Sequence, residues 1–255
     1  MTPADTKPII AVCGKGGVGK TAASALLARA FLDSGVRPVL LVDADPAGGL
    51  LSAVGESVVH TLSQARAKLV AAARGAGEET KKDLARQLDY MVMEALAERD
   101  GYSLLAMGKN EDRGCFCPAN SLLREAIDVL IGPFSLMLID AEAGLEQISR
   151  QVTRRVTRVV AVHDGSARSA DTVGHILSMA GPERLCVMGN RGAGPENLSL
   201  PDGVPWLGSL PEDPDVAAYD RERKSLWDLP PDNPARAEAL RVADRLLREG
   251  ADQAG

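Results

Sequence analysis

Ile9-Ile10-Ala11-Val12-Cys13-Gly14-Lys15-Gly16-Gly17-Val18-Gly19-Lys20-Thr21-Ala22 decides the fold of this chain. Its first four residues form an unbroken apolar run, which suits a strand covered on both faces; a half-exposed strand would alternate. Gly14 to Thr21 then satisfies G-x-x-x-x-G-K-[ST] between that strand and a predicted helix, Ala22 to Ser34. Glycines let backbone N–H groups close round phosphates, and the helix start adds its positive end. Lys20 is expected to reach the β and γ phosphates and Thr21 to hold Mg²⁺. The same residues also spell G-x-G-x-x-G, the dinucleotide pattern. Lys20-Thr21 separates the two, because an ammonium and a hydroxyl at that place serve a triphosphate with magnesium. Gly14, Lys15, Gly16, Gly17, Val18, Gly19, Lys20, Thr21 and Ala22 are thus the candidate ATP loop.

Outward from this loop the chain repeats its opening rhythm. Continuous apolar runs at Val39–Val42, Ser103–Met107, Leu136–Ile139, Val159–Val162, Leu185–Met188 and Trp206–Gly208 join Ile9–Val12 as seven predicted strands. The expected fold class is α/β: a doubly wound, mainly parallel seven-stranded sheet with helices on both faces, a P-loop NTPase. With 255 residues, 45% of them apolar, one core and a single domain over 1–255 are expected. Only 3% are aromatic, so that core is built from Leu, Val, Ile and Ala. Leu62, Leu69, Leu84, Leu88, Val92 and Leu96 are spaced for two helices, a helical insertion at about 56–100. A last helix, about Ala235 to Glu249, has one apolar side and balanced charges on the other, the pattern of a docked surface helix. A net charge of −6 gives no overall field for DNA or anionic lipid, and no apolar run reaches the roughly 18 residues of a spanning helix. Met1 to Pro8 is short and polar, without the pattern of a secretory signal, so a cytoplasmic protein is expected.

Polar residues recur where the predicted strands end. Asp43-Ala44-Asp45-Pro46 follows the second, Asp140-Ala141-Glu142-Ala143-Gly144 the Leu136–Ile139 strand, and Gly189-Asn190-Arg191 the Leu185–Met188 strand, with Pro211 beyond the last. One aspartate past a strand is an ordinary helix cap. Several in order, on the edge that carries the phosphate loop, point to a nucleotide site. Cys115-Phe116-Cys117-Pro118 opens another predicted helix, running through Leu122, Leu123, Ala126 and Leu130. A thiol there faces the helix's positive end, which favours the metal-binding thiolate. Taken alone, the pair reads as two ordinary free thiols sooner than as a metal site. Cys13 and Cys186 lie in or beside apolar strands and are read as small buried residues, His163 as a turn residue, and Trp206 and Trp227 as packing.

With Lys15 as a second lysine near the loop's start, the sequence resembles the deviant Walker family, which includes MinD, ParA, the arsenical pump ATPase, the nitrogenase iron protein and the CooC-type nickel chaperones of carbon monoxide dehydrogenase. The resemblance implies a homodimer that sandwiches two ATP molecules, with Lys15 reaching the partner's phosphates. It also implies catalytic roles for Lys15, Lys20 and Asp45, the last orienting or deprotonating the attacking water. Asp43 would lie near the magnesium shell, Asp140 would hold Mg²⁺ through water, and Gly144 would give an N–H to the γ phosphate. Asn190 would read adenine, and the backbone at Pro211 would line it. Gly114 to Asn120 looks like the CooC metal motif, and the likeness extends through Asp140–Glu146 to Leu210–Val216. A dimer then supplies four sulfurs from two copies of Cys115 and Cys117, a shared site for Ni²⁺ or Zn²⁺, with an iron–sulfur cluster a weaker fit. The implied function is an ATP-hydrolysing metallochaperone for nickel insertion into carbon monoxide dehydrogenase or acetyl-CoA synthase, with that enzyme as client and neither nucleic acid nor membrane as partner. Two other readings compete: a positioning or partition ATPase like MinD or ParA, and an ATP-driven iron–sulfur electron donor.

Overall fold

Every predicted strand forms. In the computed structural model, residues 7–46, 48–73, 90–108, 126–141 and 155–252 are described. Among the described residues the strands are β1 (Ile9–Gly14), β2 (Val39–Asp43), β3 (Ala97–Arg99), β4 (Tyr102–Ala106), β5 (Leu136–Asp140), β6 (Arg158–His163), β7 (Leu185–Gly189) and β8 (Trp206–Ser209). They make one sheet in the order β3-β4-β2-β5-β1-β6-β7-β8. All neighbours are parallel except β3 with β4. The chain winds from β1 to β2 and β4 on one side, returns through β5, and continues through β6 to β8 on the other. Its direction reverses about β1, which leaves a crevice at the carboxyl ends there, the usual ligand position of a doubly wound sheet.

The eighth strand corrects the expected seven. Ala97-Glu98-Arg99 is three residues long and half-exposed to exposed, and it pairs antiparallel with β4 at the sheet's edge. Its charged side chains give it no apolar run, and they also protect the edge from pairing with another chain. The 56–100 insertion is therefore not wholly helical: α3 (Leu62–Ala73) and a helical turn at 90–95 are followed by this strand. Leu84 and Leu88 lie outside the described residues. Of the helix expected from Pro118, residues 126–130 are described and are helical.

Alternate residues of each strand face two separate cores. On one face α1 (Lys20–Asp33), α2 (Gly49–Val54), the 3-10 turn Leu226–Asp228 and α6 (Pro234–Asp252) cover Ile10, Val12, Leu41, Leu138 and Val160. On the other, α3, the turns at 90–95 and 126–130, and α4 (Ala167–Ala180) cover Ile9, Ala11, Val42, Ile139 and Ala161. Because α6 lies across α1, α1 is buried almost all round, from Ala23 through Leu32 with only Arg29 half-exposed. Its Ala-rich sequence suits that close sandwich. Below the sheet, the buried Arg158 guanidinium donates to the Glu249 carbonyl at 2.6 Å, fastening the far end of α6. Among the described residues no helix is long and apolar enough to cross a membrane.

Candidate nucleotide site

Strand register places the acidic pair. β2 and β5 align Asp43 opposite Asp140, both in step with the residues that face α1. Asp140 is buried, and its two oxygens accept from the Thr21 hydroxyl at 2.8 Å and the Ser24 hydroxyl at 2.9 Å. Burial raises its pKa, opposed by those two hydrogen bonds and by Lys20. Hydroxyl and carboxylate together form an all-oxygen donor set at the mouth of the loop, the chemistry a small divalent cation such as Mg²⁺ prefers.

Asp43 does something different. Its Oδ1 accepts the Asp45 N–H and its Oδ2 the Leu51 N–H, both at 3.2 Å. It thereby ties the turn after β2 to α2, and burial pushes its pKa to about 7. Asp45, on that turn, lines the cleft above the loop.

The phosphate loop is held from outside. Asn190, after β7, donates its side-chain amide to the Val18 carbonyl at 2.8 Å, and Arg191 donates to the Gly17 carbonyl at 3.3 Å. Gly19 has φ +91°, and an added Cβ would stand 2.2 Å from the Asn190 amide nitrogen, so both conformation and space require glycine there. Lys20, nearly buried, donates to the Lys15 carbonyl at 3.3 Å and arches over its own loop. Beside it opens a cleft of about 710 Å³ with Gly17, Lys20, Thr21, Asp45, Asn190 and Pro211 among its walls, so residues expected at the phosphates, the attacking water and the base meet in one cavity. That volume suits a nucleotide.

Three contacts were invisible in the sequence. Ser24 shares Asp140 with Thr21, and Asp213 caps α5 (Pro214–Glu222) with its Oδ1 while its Oδ2 accepts from Asn233 at 2.9 Å. Lys15, expected to reach outward, lies 3.7 Å from Asp164, just past β6. Asp164 also accepts from the Ser166 N–H and hydroxyl at 3.0 and 2.6 Å, and its own N–H goes to Ser169 Oγ. Partial burial raises that carboxyl, but the Ser166 and Ser169 hydrogen bonds and Lys15 outweigh it and hold Asp164 well below the usual carboxylate range. His163 is no turn residue: it ends β6, fully buried, with Nδ1 2.7 Å from Ser169 Oγ and Nε2 without a hydrogen-bond partner among the described residues. Burial lowers its pKa, with Asp164 and Glu196 opposing, which favours the neutral imidazole. Cys13 and Cys186 are buried thiols, as expected. Cys115, Cys117 and Gly144 lie outside the described residues, and no metal-binding cluster occurs among the residues that are described.

The family model for the CobQ/CobB/MinD/ParA nucleotide binding domain matches residues 9–226, from β1 to the 3-10 turn. The chain belongs to this family. It is also 35% identical over 260 residues to the carbon monoxide dehydrogenase accessory protein CooC of Rhodospirillum rubrum, covering 96% of this chain and 98% of that one. An uncharacterized ATP-binding protein of Methanocaldococcus jannaschii is 35% identical over 263 residues, covering 94% and 99%. The fold matches the crystal structure of the Pyrococcus furiosus cell division ATPase MinD with a TM-score of 0.66 at 24% identity, covering 95% of this chain and 99% of that one. A ParA family ATPase of Chlorobium tepidum matches at 0.67 and 17%, covering 93% and 98%. At such identities the solved structures establish the doubly wound fold. The likeness to CooC spans almost all of both chains.

Proposed function

We propose that this protein is an ATP-hydrolysing maturation factor that works as a homodimer and delivers Ni²⁺ to a carbon monoxide dehydrogenase or acetyl-CoA synthase. The near full-length similarity to a carbon monoxide dehydrogenase accessory protein carries this reading. ATP enters the cleft with its phosphates on the Gly14–Ala22 loop and its base between Asn190 and the backbone at Pro211. Thr21 and Asp140 are the groups that would hold Mg²⁺, which would neutralise phosphate charge, and Asp43 would lie near its water shell while still accepting from Asp45 and Leu51. Lys20 withdraws from the Lys15 carbonyl to the β and γ phosphates. Asp45, carried on the turn that Asp43 anchors, orients the attacking water, and Gly144 gives its N–H to the γ phosphate.

Cys115 and Cys117 are the ligands offered to Ni²⁺ or Zn²⁺, two from each copy, so ATP-driven approach of the subunits changes the sulfur geometry and hydrolysis reverses it. An iron–sulfur cluster on those sulfurs is the lesser alternative, and a cytoplasmic, single-domain protein is the setting.

Anaerobic metal analysis of wild type and the Cys115→Ala/Cys117→Ala double variant, with mass measured with and without ATP, tests this. Wild type is expected to dimerise with ATP and to retain nickel or zinc at about one ion per dimer, the ratio of one Cys₄ site. Metal content equal to that of the double variant would refute the delivery role. Retention on liposomes or DNA with ATP would instead favour a MinD- or ParA-like positioning ATPase.

A further inference from the structure

Arg191 occupies a backbone position that disfavours it. After β7 the chain turns sharply: the Ala193 N–H reaches the Asn190 carbonyl at 3.1 Å, and the two central residues, Arg191 and Gly192, have φ of +55° and +73°. Two successive left-handed residues closed by that bond follow the pattern of a type I′ turn, whose first central place favours Asn, Asp or Gly. Gly192 fits the second place, and Arg191 does not fit the first. Among the described residues one other non-glycine, Arg223, has a positive φ. A long side chain held in this conformation is strained, and strain that persists points to a use.

That use follows from what the guanidinium touches. It is exposed, lines the nucleotide cleft and donates to the Gly17 carbonyl at 3.3 Å. An added Cβ at Gly16 or Gly17 would meet nothing within 4 Å, so side-chain packing does not fix the middle of the phosphate loop and hydrogen bonds must. In a planar trans peptide the C=O and N–H point opposite ways. A Gly17 carbonyl held toward Arg191 therefore turns the Val18 N–H into the loop, where it reaches the Lys15 carbonyl at 3.3 Å. Asn190 holds the next carbonyl, that of Val18, at 2.8 Å. One turn thus pins two successive peptides of the loop.

We infer that Arg191 is a positioning residue for the β phosphate of the bound nucleotide: its guanidinium keeps the Gly17–Val18 peptide oriented with the N–H toward that phosphate, at the expense of a strained turn. This deepens the reading of the cleft as an ATP site and rests on it, but needs neither the dimer nor the metal. Stability alone does not account for the residue, since one exposed hydrogen bond of this length adds little. Binding does, because a peptide already turned to the anion need not reorganise when the anion arrives.

The test sets stability against affinity in full-length Arg191→Gly, which suits the turn and lacks the guanidinium. Urea unfolding reads stability. Displacement of a fluorescent ADP derivative by ADP with Mg²⁺, and by AMP, which lacks the β phosphate, reads affinity. The variant is expected to unfold at the same urea concentration as wild type or a higher one, yet to bind ADP roughly three- to tenfold more weakly, the range of one such hydrogen bond, with AMP unchanged. Arg191→Asn, also favoured by the turn, should repeat this result, and Arg191→Lys should recover part of the ADP affinity. Unchanged ADP affinity in a folded Gly or Asn variant overturns the inference, as does an equal loss for AMP. If both variants are less stable than wild type or fail to fold, Arg191 is a structural tie and the inference is overturned; where one folds, its ADP and AMP affinities decide. A wild type that binds neither ADP nor ATP removes the nucleotide reading and this inference with it. A wild type that binds ADP beside an unresponsive Arg191→Gly removes this inference alone.

Discussion

A thiol is as reactive as its surroundings allow, and two of the four cysteines sit where the thiolate is costly. Burial raises the Cys13 thiol to about 12, with Lys20 opposing, and Cys186 to about 11, with Arg158 opposing. Neither is exposed to reagent in the folded chain. Iodoacetamide at roughly pH 8 is therefore expected to leave both unmodified until the protein is unfolded in urea, as peptide mass spectrometry would show. Linkage adds a second consequence. The folded pKa of Cys13 lies above its unfolded value of 9.0, so its contribution to stability is complete below that value and is lost as pH rises through about 12. The advantage of wild type over Cys13→Ala in urea unfolding should thus shrink by about 2 kcal/mol between roughly pH 8 and 10.5. A constant difference would mean that Cys13 is hydrated in the native state.

At the scale of elements, two helix caps couple the wall of the nucleotide cleft to the last helix. Asp213 Oδ1 accepts from Asp215 and Val216 at the start of α5, and Asn233 Oδ1 accepts from Arg236 at the start of α6. The remaining amide of Asn233 joins the two caps through Asp213 Oδ2, and both residues are buried. Asn233→Ala removes one cap and leaves half of a buried carboxylate unpaired, a cost of about 2 kcal/mol. Since Asp213 and Val216 line the cleft, KM for ATP should rise more than kcat falls. An unchanged KM with lowered stability would separate the cap from the site. Elements of this kind explain what the sequence hid. The phosphate loop and seven strands were legible because continuous apolar runs and a glycine–lysine pattern are local signals. β3 was not, since Ala97-Glu98-Arg99 owes its strand form to pairing with Tyr102–Leu104 rather than to its own residues. α4 gives a weaker signal because its first turns are polar and its larger apolar residues, Val173, Ile176, Leu177 and Met179, crowd into the last two. The Lys15–Asp164 contact joins turns far apart in the chain, and only the β1–β6 pairing makes them neighbours.

For the whole molecule the question is what the amphipathic last helix does. A positioning ATPase that uses a terminal helix on lipid would leave its apolar face uncovered. Here Ala235, Ala239, Val242, Ala243 and Leu246 are buried in the core that holds α1, and Leu240 is the large apolar side chain of α6 that remains exposed. Arg236 pairs with Asp33 of α1 at 2.9 Å, Arg245 donates to the Leu207 carbonyl, and Arg158 holds the Glu249 carbonyl, so the helix is fastened along its length. It is an outer layer of one core. Removing it uncovers α1 and leaves the Arg158 guanidinium without its carbonyl beneath the sheet. Five buried side chains at about 1 kcal/mol or more each amount to a large share of a domain's usual 5–15 kcal/mol. A chain ending before Pro234 should therefore lose cooperative urea unfolding and near-ultraviolet circular dichroism, and its soluble yield should collapse. A truncated protein that stayed folded, bound ATP and had lost only affinity for anionic vesicles would assign α6 to the membrane instead.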